Sequence, residues 1–520
     1  MSIRLSGGKL RLRGGKPALV TAGAAQAQPP VTGPAATSLS LADVVDGTIM
    51  QRAAGATYKD VQVPFTYTGP AAIVQARMVD ASGAEIVPWT TIATNPTGGA
   101  GSGVLRVSQG KWGKLQIRDG NDNSIVSNGA NEFAVGAIFL WSGQSNMVNT
   151  FTTADKYPTG SKNARAYDAT NNRRGILGNR ATSGAMPSAP FILFGQGGYP
   201  SGPPWTNDVT NADAPVYFAN MLAQELGVPV LIVLSAYGGQ SIDTWVPTTG
   251  INWPKLAAAV AAVGGDIEGM DWSQAEADTL TKTVAQMRAK WDGLQAQMLD
   301  LLAPFGRTKS NFKMGMISLG ACDGSYAKSG VMRANQADYA NTTAGWFLAS
   351  SAYDGNTPAD HVHQDGPPLS RVYRRAARSA LAAVYGIGAS GAGPKIDPAN
   401  VKLIGSDIFA NVIHAGGTDL ADGAGGTGAS VTSLEVKDST GAVIPYVLQV
   451  TAAAQFKLSL TASFVAPLTV SNAYMDVPCG AASGNGLSFD PARCLYDNLS
   501  YVNKTMGGAP LQPCAPIAVS

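Results

Sequence analysis

Between residues 136 and 388, apolar strand-like runs alternate with amphipathic helical patterns, and this alternation constrains the fold more than any other feature of the chain. Residues 137–141, 228–234 and 312–319 are apolar runs of strand length. Residues 215–226 have a helical pattern, with Asp213 near the N-cap and Gly227 just past the end. Leu280, Val284, Met287, Trp291, Leu294, Met298 and Leu301 step by four and three. Such a stripe suits a coiled coil or one helix packed on a sheet, and the flanking strands favour the second. Leu369, Val372, Ala376, Ala380 and Val384 mark a last helix, closed by Gly386. Strands alternating with helices imply an α/β domain with a mostly parallel sheet covered on both faces.

The flanks have a different period. Residues 61–63, 73–79, 104–107 and 115–117 alternate apolar and polar positions. In 73–79, Val74, Ala76 and Met78 are expected to face inward and Gln75 and Arg77 outward. Period two, broken by Gly and Pro turns, predicts an N-terminal β-sandwich domain over 41–135. Residues 1–40 are rich in Gly, Ala and Pro, with no acidic residue before Asp43, and read as a flexible or assembly arm. Residues 389–398 read as a linker, and 399–520 return to short strands at 434–436, 444–450 and 456–460, a C-terminal β domain. The segments VDASGAEIVP (79–88) and VKDSTGAVIP (436–445) look alike. They are either two hairpins with one turn chemistry or parts of related sandwiches.

Composition narrows the function. Lys and Arg (37) nearly balance Asp and Glu (35), and no basic block stands out, so a nucleic-acid reader is not expected. No run of 18 apolar residues is present, so no membrane span is expected. Arg4, Lys9, Arg11, Arg13 and Lys16 are not followed by an apolar core segment, so no Sec signal is expected. Cys479, Cys494 and Cys514 lie near the C-terminus, where one bridge or free thiols both fit. The three His are His361, His363 and His414, and without a CxxC or HExxH pattern they offer no good metal ligand set. No metal and no cofactor is expected.

Four segments carry chemistry. AIFLWSGQSNM (137–147) places Ser145 after a strand, where an α/β sheet would use a nucleophile, although Ser there is most often a turn former. VLIVLSAYGGQSIDTW (230–245) places Gly238 and Gly239 after another strand, where a Gly pair can turn an N–H into a cleft or simply make a turn. DIEGMDWSQAEAD (266–278) places Gln274 before a long helix, as an amide donor or a cap. PADHVHQDG (358–366) sets Asp360 three residues before His363, close enough for the carboxylate to fix the imidazole tautomer.

In this order the four segments resemble the SGNH (GDSL-type) hydrolases, in particular the sialate O-acetylesterase-like and acetylxylan-esterase-like branch. GQSNM stands intact at 143–147. GGQSIDTW at 238–245 is similar to the branch's second block, and WSQAEAD at 272–278 to its third, with Ala275 where the branch has Gly. Asp360-His361-Val362-His363 is similar to its closing D-x-x-H, and 217–230 and 332–339 also resemble branch segments. The resemblance covers about half the chain and implies a central three-layer α/β/α domain. It implies that Ser145 is the nucleophile, His363 the acid–base and Asp360 its orienting partner. It further implies an oxyanion hole from the Ser145 and Gly239 N–H groups and the Gln274 side chain, with Glu276 and Asp278 bracing the loop. The implied substrate is an acetylated glycan or polysaccharide. Tyr199 and Trp205, in the aromatic and turn-rich segment 191–205, are candidate sugar-stacking residues or pack within their own loop.

Readings of other classes stand beside this one: a non-catalytic glycan-binding protein, or a structural virion tail component, which would be a homo-oligomer and by analogy a trimer. A tail component that deacetylates surface polysaccharide would combine the two. Location on a virion tail or outside the cell by a non-Sec route is expected on that reading, and the cytoplasm otherwise.

Overall fold

The strand Phe133–Gly143 is the spine of the molecule, and all of its residues are buried. A strand can be apolar without interruption only if both of its faces are covered. Here Ala137, Phe139 and Trp141 enter one apolar cluster, while Ile138 and Leu140 enter another. The computed structural model describes residues 33–148, 163–168, 173–177, 191–194, 214–322, 326, 328–354, 362–363, 366–422, 431–475, 480–483, 486–489, 493–497 and 510–520.

The fold is mixed α/β. Parallel strands run in the order Ala164–Asp168, Val230–Ala236, Phe133–Gly143, Gly269–Ser273, Lys313–Ser318 and Trp346–Ser351. Arg173–Leu177 adds antiparallel to the Ala164–Asp168 edge, and Phe191–Phe194 lies beyond it. The helices are α1 (Ser145–Val148), α2 (Ala214–Leu226), α3 (Trp253–Ala261), α4 (Val284–Leu302), α5 (Ser329–Thr342) and α6 (Gly366–Tyr385). Leu222 of α2 and Ala376 of α6 share the cluster of Trp141; Leu256 of α3, Trp291 of α4 and Tyr339 of α5 share that of Ile138. From Phe133–Gly143 the chain builds outward on one side, then crosses to Gly269–Ser273 on the other. The strand order therefore reverses at Phe133–Gly143, and the crevice beyond such a reversal is where open α/β sheets take ligands.

The same strand ties the sheet to the N-terminal β region. Its first residues pair in parallel with Thr48–Gln51 and antiparallel with Trp112 and Gly113. It thus runs without a break across 135–136. Arg52 reinforces the join: its guanidinium bonds the Glu268 carboxylate at 2.6 Å and lies over the Tyr385 ring at 5.1 Å. In the N-terminal region, Ser38–Leu41, Tyr58–Thr68 and Ala100–Ser108 form one sheet. Ile73–Val79, Glu85–Thr94, Trp112–Asp119 and Val126–Asn128 pair on the other side of the same core, with Phe65, Met78 and Leu115 between. Ala36 and Leu39 belong to this core, so folded structure reaches back into the stretch expected to be an arm.

Three further expectations need correction. Gln75 is buried rather than outward, and its Oε1 accepts from Arg118 Nε at 2.8 Å. The outer face there is covered by Trp89, whose ring carries Arg77 at 4.6 Å and Arg118 at 4.4 Å. Leu280 is exposed and outside α4. A capping box between Thr283 and Gln286 starts that helix, and Met287, Trp291, Leu294, Met298 and Leu302 form its buried face. Lys395–Ile404 is a strand, so part of the expected linker is sheet; a register shift between Ile396 and Val401 accommodates Pro398.

In the C-terminal β region, Asp438 Oδ1 accepts from the Thr440 N–H, the Thr440 hydroxyl and the Ala442 N–H. Asp80 Oδ1 does the same with Ser82 and Ala84. Gly83 and Gly441 both sit at φ 85°. The likeness of the two segments is therefore one aspartate-closed turn built twice. Buried Arg333 of α5 locks this region to the sheet, donating to the carbonyls of Leu319, Gly320, Ala473 and Met475. Cys494 is in a disulfide, whereas Cys322 and Cys514 are free. Burial pushes the Cys514 thiol up to about 12.

Candidate active site

Three of the four chemistry-bearing segments leave the sheet side by side. Gly143 is in register with Ala236 on one side and with Ser273 on the other. Gly143 has φ +134°, and a Cβ there would lie 2.0 Å from the Ser273 carbonyl oxygen, so the position admits only glycine. The chain then turns directly into α1, which begins at Ser145. The Gln144 N–H donates to Ser273 O at 2.9 Å, and the N–H groups of Ala275 and Ala277 approach Gln144 Oε1 at 3.5 and 3.4 Å. These contacts tie the Ser145 turn to the 274–278 loop.

The Gly238–Gly239 turn closes the other side. A Cβ on Gly238 would be 3.7 Å from the Ser145 Cβ, so this turn lies directly against the serine. Gly239 has φ +68°, a left-handed conformation. Among the described residues, neither the Ser145 nor the Gly239 N–H is engaged by a backbone carbonyl.

Gln274 is arranged differently from the third-donor role expected of it. Its Nε2 donates to Gln240 O at 3.1 Å and to Asp278 Oδ2 at 2.6 Å, which engages both amide hydrogens. Asp278 in turn accepts from the Ser241 hydroxyl at 2.6 Å and the Ile242 N–H at 2.8 Å. Gln274 and Asp278 therefore hold the glycine turn in place. Gln336 of α5 supports the same loop, donating to Gln274 O at 2.8 Å while its Oε1 accepts the Leu319 N–H at 2.8 Å. Ala275 sits at φ +139°, ψ −5°, a region that only glycine adopts without strain.

The fourth segment arrives through a residue whose role the sequence reading did not assign. Asn146 Nδ2 donates to Glu276 Oε1 at 2.6 Å and to Val362 O at 3.3 Å. The residue after Ser145 is thereby bonded to the residue before His363. The Tyr373 hydroxyl of α6 donates to the Asn146 carbonyl at 2.5 Å and fixes the same turn from below. Glu276 is buried. Burial pushes its carboxyl above the usual range, while Asn146 and the charge of His363 draw it down. Asn146 was legible only as part of GQSNM, and Tyr373 carried no signal beyond its place in an amphipathic helix. Asp360, Tyr199 and Trp205 lie outside the described residues. His414 is far along the chain in the C-terminal region, bonded through Nε2 to Ala453 O at 2.9 Å. Among the described residues, no three His, Cys, Asp or Glu side chains are grouped as a metal site requires.

Residues 135–381 match the family described as carbohydrate esterase, sialic acid-specific acetylesterase. No curated protein sequence matches the chain. Among solved structures, a carbohydrate acetylesterase from Xanthomonas citri is similar at 15% identity and a TM-score of 0.56, over 92% of this chain and 98% of that one. A protein from Arabidopsis thaliana (16% identity, TM-score 0.35) covers 48% of this chain and 98% of its own. A carbohydrate acetylesterase from Sinorhizobium meliloti (12% identity, TM-score 0.29) covers 48% of this chain and 99% of its own. The first of these likenesses shows a shared fold over nearly the whole of both chains. Residues 135–381 match the sialic acid-specific acetylesterase family of carbohydrate esterases, and the match marks an acetylesterase domain set between two β regions.

Proposed function

We propose that this chain removes O-acetyl groups from a glycan or polysaccharide by a serine acyl-enzyme mechanism. Ser145 is the nucleophile, His363 the general base and then acid, and Asp360 the residue that orients His363. The observation that carries this reading is the Asn146 amide, which joins the Ser145 turn to the chain beside His363 across 216 residues of sequence.

In the first step Ser145 Oγ attacks the ester carbonyl and its proton passes to His363. The oxyanion that forms takes the N–H groups of Ser145 and Gly239, which the described backbone leaves unengaged. Losing such a donor costs roughly 10²–10³ in rate. The sugar alcohol leaves with the proton from His363, water attacks the acetyl-serine, and acetate is released. Gln274 acts here by holding the glycine turn; its amide joins the oxyanion hole only by giving up Gln240 O or Asp278. The central sheet with helices on both faces, the carboxyl-end crevice and the flanking β regions support an SGNH-type three-layer arrangement of the middle domain.

The test is acetate release from acetylated xylan, acetylated sialic acids and 4-nitrophenyl acetate, with Ser145→Ala as the control. Release by the intact protein and none above background by the variant is the expected result. Absence of release from all three substrates, or a full rate in Ser145→Ala, defeats the proposal.

A further inference from the structure

Two arginines of the N-terminal β region stand against one aromatic ring. The Arg77 guanidinium lies 4.6 Å from the centre of the Trp89 ring, and that of Arg118 lies 4.4 Å from it. Register sets Arg77 opposite Gln116 and Arg118 opposite Gln75 across the strands Ile73–Val79 and Trp112–Asp119. Each arginine is held by its facing glutamine. Arg77 Nε donates to Gln116 Oε1 at 2.6 Å, and Arg118 Nε donates to Gln75 Oε1 at 2.8 Å. Arg77, Trp89, Gln116 and Arg118 are all half-buried, so this face of the sheet is open to a ligand. Lys114 precedes Arg118 by four positions in the same strand and therefore shares its face.

These charges are poorly neutralised. Glu85 Oε2 is 3.8 Å from Arg77 Nη1, a surface pair of little strength. Among the described residues, no carboxylate pairs with Arg118 or Lys114. Burial and the Arg77 charge push the Arg118 guanidinium below its ordinary value. Stacking on a ring engages the flat face of a guanidinium and leaves its edge, where the N–H fork lies. The terminal nitrogens of both arginines have no hydrogen-bond acceptor among the described residues. The Nε bonds thus fix two forks whose ends are free. A carboxylate fits such a fork through two parallel hydrogen bonds. Gln116 has its oxygen engaged and its amide N–H groups left for hydroxyls. The three cations are spread over two strands, so a chain with a carboxylate on every ring matches them better than a single acid. A nucleic-acid surface needs more cations than this, and the chain's net charge is only +2.

We propose that this face is an ancillary binding site for a polyuronate, a polysaccharide of uronic acid units, whose carboxylates are gripped by the Arg77 and Arg118 forks beside Trp89. The site shares no residue with the Ser145 constellation and stands without the esterase reading. Where that reading holds, the site keeps an acidic polysaccharide close to the cleft and raises its effective concentration there.

The test is isothermal titration calorimetry of the full chain, as Ser145→Ala, with tetragalacturonate. Xylotetraose is the neutral control and a short DNA duplex the phosphate control, all in one buffer. Tetragalacturonate is expected to bind, with an affinity that falls as salt is raised, and to bind more tightly than either control. Adding Arg77→Gln and Arg118→Gln together is expected to weaken it by about tenfold or more, since two charge-assisted forks are lost. The same pair of substitutions in the wild-type chain is expected to leave the rate on 4-nitrophenyl acetate unchanged. No binding of tetragalacturonate overturns the proposal, as does an affinity undiminished in the double variant. Binding of xylotetraose or of the duplex as tight as that of tetragalacturonate overturns it too, the first by removing the role of charge and the second by marking a general cationic surface. Where circular dichroism shows the double variant unfolded, Arg118→Gln alone carries the test, and an unchanged affinity again overturns it. A protein that releases no acetate but binds tetragalacturonate through these arginines defeats only the catalytic reading.

Discussion

Asn146 and Glu276 are joined by a 2.6 Å hydrogen bond between a side-chain amide and a buried carboxylate, and the same amide reaches the carbonyl beside His363. Asn146→Ala removes both bonds while leaving the Ser145 backbone in place. It takes the Asn146 amide from the buried Glu276 carboxyl, which is expected to cost roughly 1–3 kcal/mol of stability. Without the amide, the His363 segment loses its tie to the Ser145 turn, and the rate of acetate release is expected to fall roughly 10²-fold. Thermal unfolding and steady-state kinetics on one preparation check both effects.

Ala275 adopts φ +139°, ψ −5°, a conformation that only glycine takes without strain. Ala275→Gly relieves the strain and loses some entropy in the unfolded chain. The first effect is about 1–3 kcal/mol and the second under about 1 kcal/mol, so a net gain of about 1 kcal/mol in unfolding free energy is expected. A urea titration measures it directly.

Asp271 is fully buried in the strand Gly269–Ser273, and neither carboxyl oxygen has a hydrogen-bond partner among the described residues. Burial holds its carboxyl well above the usual carboxylate range. The folded protein therefore keeps a proton that the unfolded chain releases above about pH 4. Stability from this group is complete below that pH and declines as pH rises toward the folded-state value, by up to about 1.4 kcal/mol per pH unit. Asp271→Asn removes this slope. Unfolding midpoints between pH 4 and 7 are expected to fall less steeply with pH in the variant than in wild type.

Arg333 donates to the carbonyls of Leu319, Gly320, Ala473 and Met475 from a fully buried position. Arg333→Ala takes the guanidinium donor from those carbonyls at the seam between the sheet and the C-terminal β region, and Gly320 O keeps only the Cys322 thiol at 3.6 Å. A loss of about 3 kcal/mol or more is expected, with earlier proteolysis of the C-terminal region than of residues 133–143. Limited proteolysis followed by mass spectrometry reads out that order.

Local patterns that survive in the structure are those in which one short-range rule decides the outcome. The uninterrupted apolar run at 137–141 could only be a strand covered on both faces, and Gly227 ends α2, its N–H donating to Ala223 O at 3.0 Å. The aspartate turns at Asp80 and Asp438 follow from three residues each. Other features depend on partners far away in sequence. Gly269–Ser273 is a strand of five residues with Asp271 at its centre, and periodicity does not reveal it. In α5 the buried Arg333, Asn335 and Gln336 sit beside the apolar Met332, Ala337 and Tyr339, because these polar side chains meet backbone carbonyls, a backbone N–H and the Arg288 guanidinium. Leu280 continued a helical stripe in spacing alone, since the cap at Thr283 starts the helix after it. In the site, GQSNM and the glycine pair marked the right strand ends. The engagement of Gln274 with Gln240 and Asp278 was hidden, because an amide's partners are not written in its own neighbourhood.

The central claim is that Ser145 is a nucleophile activated by His363. The most direct measurement is labelling of the intact protein with a serine-directed fluorophosphonate, with the modified peptide located by mass spectrometry in wild type, Ser145→Ala and His363→Ala. The account predicts modification at Ser145 in wild type, none in Ser145→Ala, and modification slowed by at least about 10² in His363→Ala. A Ser145 that stays unlabelled, or one that is labelled equally fast without the His363 imidazole, would contradict it.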